Sequence, residues 1–348
     1  MMIPDSTYRL QFTPAFTFAH AGGRYADIAT HDPALEVAVE IHSAWGTFEW
    51  LFTDALQHGY RIGVCANSDG HKGRPGASYP GAKRFGSYGG LTCVLAEELS
   101  RESIFQAMKA RRFYATTGNR PILDVALHIG GSTVVPIGAA AKASPTSTPV
   151  MKGRIVGTGP LENVMLVNGT TPTASYYTYT NADIGRRVKI LWSGAEVRGR
   201  ARQATWDGHL TVKDNRISDV TAVNFWNPER SITQTDDNHL QWQSITTGGI
   251  CGMILTLDEP KIGTIDIETA QGSFALQVET LQREPTIKDV GGLQKQIAAY
   301  ALPDSPSPCE ASIEMPVEDI HRGDNPIYLR MTQEDGHMAW TSPVYLEA

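Results

Sequence analysis

The chain has 348 residues, 41% of them hydrophobic and 19% charged, with a net charge of −7 and a pI near 5.8. That is enough apolar material for two domains with real cores, and it excludes a disordered chain. The acidic balance excludes a global field that would attract nucleic acid or an anionic membrane, so any anionic substrate has to be held by local charges. There is no apolar run of 18 residues and no charged segment leading into an apolar one at the start. Neither a membrane span nor a signal peptide is therefore expected, and a cytoplasmic location follows. Cys65, Cys93, Cys251 and Cys309 are widely spaced with no Cys-x-x-Cys, which reads as packed free thiols in a reducing compartment.

In chain order the first predicted strand is "VAVEIHS" (37 to 43), followed by a helix around 48 to 58. Phe48, Leu51, Phe52, Ala55 and Leu56 fall on one stripe of that helix, and Gly59 supplies its stop. A second strand, "RIGVCANS" (61 to 68), and a helix beginning near Ser100 continue the alternation of strand and helix. From about residue 125 the character changes to short alternating runs separated by Gly, Pro, Asn and Asp: "NVMLVNG", "RRVKILWSG", "GMILTLDE" and "NPIYLRMTQEDGHMAWTSPVYL". These predict an antiparallel β-sandwich over 125–348 behind an α/β unit over 1–124. The small, polar "GAAAKASPTSTP" (138 to 149) reads as a loop or linker near the junction.

Candidate chemistry concentrates in the first unit. Alternate residues of a strand share a face, so Val37, Val39 and Ile41 point one way while Glu40 and His42 point the other. "RIGVCANSDGH" repeats the pattern, an apolar strand ending on Asp69 and His71, and His20 in "FAHAGGR" ends another short run. Carboxylates and imidazoles suit Zn²⁺, Mn²⁺ or Fe²⁺, ions that turn bound water into hydroxide near neutral pH. Lys72 and Arg74 follow at once and, beside a metal, are placed to bind a phosphate. Plainer readings stand next to these. Asp69-Gly70-His71 is also a turn sequence, His42 a satisfied core histidine with Glu40 as a salt-bridge partner, and Lys72, Arg74, Lys83 and Arg84 a solvated loop face. His31 and His58 read as surface residues, and "YGG" and "RPG" as turns.

Taken together, "VEIHSAWGTFEW", "ANSDGHKGRPG" and "YGGLTCVLAEELSRESIFQAMKARRFYATTGNRPILDV", with the closing "IYLRMTQEDGHMAWTSPVYL", resemble an uncharacterised family related to the PHP (polymerase and histidinol phosphatase) domain. The resemblance implies a distorted βα barrel that holds two or three divalent metal ions at its rim and hydrolyses phosphoesters. It makes His20, Glu40, His42, Asp69 and His71 metal ligands. The sequence departs from that family in having no His-x-His pair, and only about 120 residues precede the β-rich part, where a complete barrel needs on the order of 200. The first residues, "IPDSTYRLQFTPAFTFAHA", resemble the opening of maltooligosyltrehalose synthase instead, which reads as a fusion or frame change near Ala19 and His20.

The expected fold is therefore a partial PHP-type βα barrel followed by an antiparallel β-sandwich. The expected protein is a truncated metal-dependent phosphoesterase that retains at most one metal, is weak or inactive, and is prone to self-association through an open barrel edge. The alternative is a non-enzymatic binding or scaffold protein that uses its β-sandwich. Glycosidase chemistry has no suitably placed carboxylate pair to support it. In the sandwich, Trp192 and Trp206 with Arg198, Arg200 and Arg202 between them suit a sugar or an anion, but aromatic residues in such a position read first as core.

Overall fold

The structure is a computed structural model that describes residues 31–69, 87–144, 146–198, 203–227 and 229–348, together with the backbone of 17–19. His20, His71, Lys72 and Arg74 lie outside the described residues, as do Lys83, Arg84, Arg200 and Arg202.

The first unit consists of β1 (Thr17–Ala19), β2 (Glu36–Ser43), β3 (Gly46–Thr47), α1 (Glu49–Gln57) and β4 (Gly63–Ala66). β1 and β4 flank β2 in parallel, and β3 turns back antiparallel on the end of β2. α1 forms where the stripe predicts it. Leu51, Phe52, Ala55 and Leu56 are buried, Glu49 in the first turn complements the helix dipole, and Gly59 takes a φ of 77° just past the end. The apolar face of α1 packs with Ile41 and Val64 of its own sheet, and also with Tyr328, Trp340 and Tyr345 from far along the chain. Burying each large side chain of that face contributes roughly 1.5–3 kcal/mol.

Beyond β4 the parallel sheet does not continue. β5 (Leu91–Val94), α2 (Arg101–Lys109) and β6 (Phe113–Thr116) come next. Ser100 caps α2 by accepting the N–H of Ser103 at 3.1 Å. β5 and β6 pair antiparallel, and β6 pairs antiparallel with Met338–Thr341. They thereby join an eight-stranded sheet with Leu161–Asn168 and Asp324–Gln333 at its centre. Its inner face lies on a four-stranded sheet of Glu310–Pro316, Val150–Val156, Ile122–Ile129 and Thr133–Pro136. Leu127, Met151, Leu166, Leu329 and Met331 are fully buried between the two.

A second stack of two five-stranded sheets is built around Ile184–Ala195 and Gly208–Lys213. Trp192, Trp206 and Trp242 fill its core; Trp192 and Trp242 stack with centroids 5.0 Å apart. Trp192 and Trp206 are thus core residues, their indole N–H groups donating to Ser244 Oγ and Thr246 Oγ1.

This architecture overturns the expected fold and the resemblance that supported it. Strand accounts for 53% and helix for 7%, no sheet among the described residues closes into a barrel, and the chain is not a PHP-type βα barrel followed by a sandwich. The physical reason lies at the free edge of β4. Successive outward N–H groups donate to side-chain hydroxyls: Ile62 to Tyr345 Oη at 2.6 Å, Val64 to Ser342 Oγ at 3.2 Å and Ala66 to Thr92 Oγ1 at 3.0 Å. A further parallel strand needs those same donors. A single βαβ unit has the same apolar runs and amphipathic stripe whether a barrel continues from it or an antiparallel sheet docks on it, so local sequence does not separate the two cases.

Candidate functional site

β2 is buried on both faces, since all eight of its residues are buried. Glu40, 1% exposed, accepts from Asn67 Nδ2 through Oε1 at 3.2 Å. It faces Cys65, whose thiol is pushed well up by burial and then by the Glu40 charge. His42 is used on both sides of its ring. Nε2 lies 2.7 Å from the Tyr88 carbonyl, which only accepts, so Nε2 carries the proton; Nδ1 then accepts from Thr47 Oγ1 at 2.8 Å. Burial pushes the imidazole down to about 4, so His42 is neutral at neutral pH.

Asp69 leaves the end of β4 with a φ of +47°, a left-handed conformation that Asp tolerates better than most residues, and its carbonyl accepts from Trp45 Nε1 at 3.0 Å. The chain is described again from Ser87, and Gly90 donates to the Asn67 carbonyl at 2.9 Å. A Cβ on Gly90 would lie 2.5 Å from the Ala66 Cβ, so this glycine of "YGG" permits a close approach of two chain segments.

Of the sequence-predicted ligands, the described ones place Glu40 and His42 on β2 and Asp69 just past β4, with His20 and His71 outside the described residues. Both ring nitrogens of His42 are hydrogen-bonded to protein in this arrangement. No group of three or more His, Cys, Asp or Glu side chains suited to a metal ion occurs among the described residues.

What His42 does line is a cavity where the first unit and both β stacks meet. Thr47, Ser87, Thr117 and Thr247 contribute hydroxyls to its wall, and Asn224 an amide. Ser87 Oγ and Thr247 Oγ1 are 3.3 Å apart. Asn224 Nδ2 donates to the carbonyls of Ile250 and Gly336, while its buried Oδ1 has no hydrogen-bond partner among the described residues. Tyr88 and Trp226 lie against the cavity with ring centroids 5.3 Å apart, and His337 sits 5.0 Å from Trp226. His337 Nδ1 is 2.9 Å from Thr117 Oγ1, and burial holds its imidazole below the usual range. Sequence reasoning missed this site because its wall comes from six separated stretches, none with a motif of its own.

Residues 69–133 are similar to the family described as "Protein of unknown function (DUF3604)", a span that includes Ser87, Tyr88 and Thr117 of the cavity wall. No curated protein and no solved structure matches the chain. The resemblances to the PHP-related family and to the start of maltooligosyltrehalose synthase are thus not supported. No helix among the described residues is long and apolar enough to cross a membrane.

Proposed function

We propose that the chain is a ligand-binding protein in which the antiparallel β stacks supply the recognition surface and the β2–α1–β4 unit is the scaffold that joins them. The supporting observation is the cavity at their junction. It has polar groups set among aromatic and aliphatic side chains, the usual composition of a binding site, and among the described residues that line it none is Asp, Glu, Lys or Arg. Isothermal titration against neutral oligosaccharides, phosphomonoesters and phosphodiesters, beside a hydrolysis assay on an activated phosphodiester with Mn²⁺ or Zn²⁺, tests this. The expected result is saturable binding without turnover. Absence of binding to every class overturns it.

A second reading, weak metal-dependent hydrolysis of phosphoesters, is favoured by the position of Asp69 just past β4 and of Glu40 on the neighbouring parallel strand, bonded to Asn67. Its mark is metal-dependent turnover lost in Asp69→Ala at an unchanged melting temperature, together with metal retained through dialysis. Finding both replaces the first reading.

A further inference from the structure

We propose that the chain self-associates through the exposed edge strand Thr286–Asp289, two copies pairing antiparallel about a two-fold axis at Ile287. The inference concerns an interaction surface and stands apart from the ligand reading above.

Thr286–Asp289 ends the five-stranded sheet built around Ile184–Ala195, and among the described residues no strand pairs with its outer edge. All of its residues are exposed, Ile287 to 54%. Its inner edge pairs antiparallel with Leu293–Pro303, setting Lys288 opposite Ile297 and Thr286 opposite Ala299. Just beyond, the Val290 N–H donates to the Lys295 carbonyl in the same register. Backbone groups of an antiparallel strand turn alternately to its two sides, so Thr286, Lys288 and Val290 spend theirs inside the sheet. The N–H and C=O groups of Ile287 and Asp289 face outward, with the carbonyl of Pro285.

That alternation selects the register of a partner strand. With Ile287 opposite its own copy, each Ile287 N–H donates to the other Ile287 carbonyl, and each Asp289 N–H donates to the other Pro285 carbonyl. Every outward donor of the strand is then used. Pro285 is needed only as an acceptor, so its missing N–H loses nothing. The two exposed isoleucines meet on one face at the axis. On the opposite face Lys288 lies diagonally across from Glu284 of the second copy, within reach of a cross-strand ion pair, and the two-fold makes this contact twice.

Proline and lysine on a sheet edge deter pairing with arbitrary strands. Here both are matched by the same segment of a second copy, so charge and backbone polarity fit self-association ahead of capture of an unrelated peptide. The contact is small, below the roughly 1,000 Å² of a stable interface, which sets a dissociation constant on the order of 100 μM.

The test is sedimentation of the full chain from roughly 10 μM to 1 mM, a range that brackets this affinity. Amide exchange of the native chain at both ends of that range accompanies it, so the outcome does not depend on a variant folding. Ile287 and Asp289 are expected to exchange more slowly at high concentration, and Lys288, whose N–H is already bonded, to change less. Ile287→Pro removes only an outward N–H and is expected to weaken association roughly tenfold or more. Lys288→Glu and Glu284→Lys are each expected to weaken it several-fold, and the two together to restore it. A dimer that Ile287→Pro leaves intact, or whose affinity the double charge swap fails to restore, overturns the edge pairing. A chain that stays monomeric throughout overturns self-association altogether.

Discussion

Lys189 Nζ lies 2.5 Å from Glu162 Oε2, and the lysine side chain is wholly inaccessible to solvent. The pair joins the two β stacks, because Glu162 belongs to Leu161–Asn168 and Lys189 to Ile184–Ala195. Tyr300 Oη donates to the other carboxylate oxygen at 2.5 Å. Removing one partner leaves a buried charge uncompensated, at a cost of about 3–5 kcal/mol, whereas replacing both with apolar residues of similar volume is far milder. Lys189→Met alone is therefore expected to lower the denaturation midpoint much more than Lys189→Met with Glu162→Leu. Urea titration of the two variants measures the difference.

Gly248 marks the tightest approach of the second stack to the first unit. Its φ is +90°, and a Cβ there would fall 1.9 Å from the Thr47 carbonyl oxygen. Gly46 on the other side is in the same condition, with a Cβ 2.1 Å from the Thr247 carbonyl oxygen, while Thr47 N–H donates to that oxygen at 3.0 Å. Gly248→Ala combines a strained φ with a backbone clash, so a loss of more than about 2 kcal/mol is expected by chemical denaturation, well above the value for an exposed glycine. Gly131→Ala, also at positive φ but with nothing near its Cβ, is the control that isolates the clash.

His42 makes stability depend on pH. Its folded-state value, about 4, lies below the ordinary 6.5, so between those limits the unfolded chain binds the proton that the folded chain refuses. Stability contributed by the neutral ring is complete above pH 6.5 and is lost as pH falls toward 4, up to roughly 3 kcal/mol. His42→Gln lacks this titration. The melting temperature is expected to fall more for the native chain than for the variant between about pH 7 and about pH 4.5.

Ser342 serves two strands at once, accepting the Val64 N–H and donating to the Phe113 carbonyl at 2.6 Å, with no solvent exposure. Ser342→Ala leaves the buried Val64 N–H unmade, at about 1–3 kcal/mol, while the Phe113 carbonyl keeps the backbone N–H of residue 342 at 3.3 Å. Hydrogen exchange at Val64 is expected to speed up beyond what the global loss of stability explains.

Several local elements were legible because their causes are local. The stripe from Phe48 to Leu56 with Gly59 behind it predicts α1, and Ser100 ahead of an amphipathic run predicts α2. Trp192 and Trp206 read as core and are core. The alternation in β2 misled, since Glu40 and His42 lie on a face that is buried as thoroughly as the apolar one. The fate of β4 was beyond local reading: its edge partners Ser342 and Tyr345 stand 278 and 283 positions away. Hydroxyl caps leave no periodic mark in a sequence. The cavity was hidden for the same reason, as Asn224 and Ser87 come to line one space only once the stacks have packed.

The hydroxyl-capped edge of β4 also sets a timetable for biosynthesis. Tyr345, which accepts from the Ile62 N–H and donates to the Ile62 carbonyl at 2.7 Å, is translated 283 positions after it. At ordinary elongation rates of about 5–20 residues per second, the nascent chain carries the β4 edge uncapped at Ile62 and Val64 for on the order of 15 to 60 s. An unpaired strand is a template for pairing with other chains throughout that interval. Ribosome-associated chaperones should therefore be needed most during elongation, and premature termination before Tyr345 should release a sticky product rather than a soluble fragment.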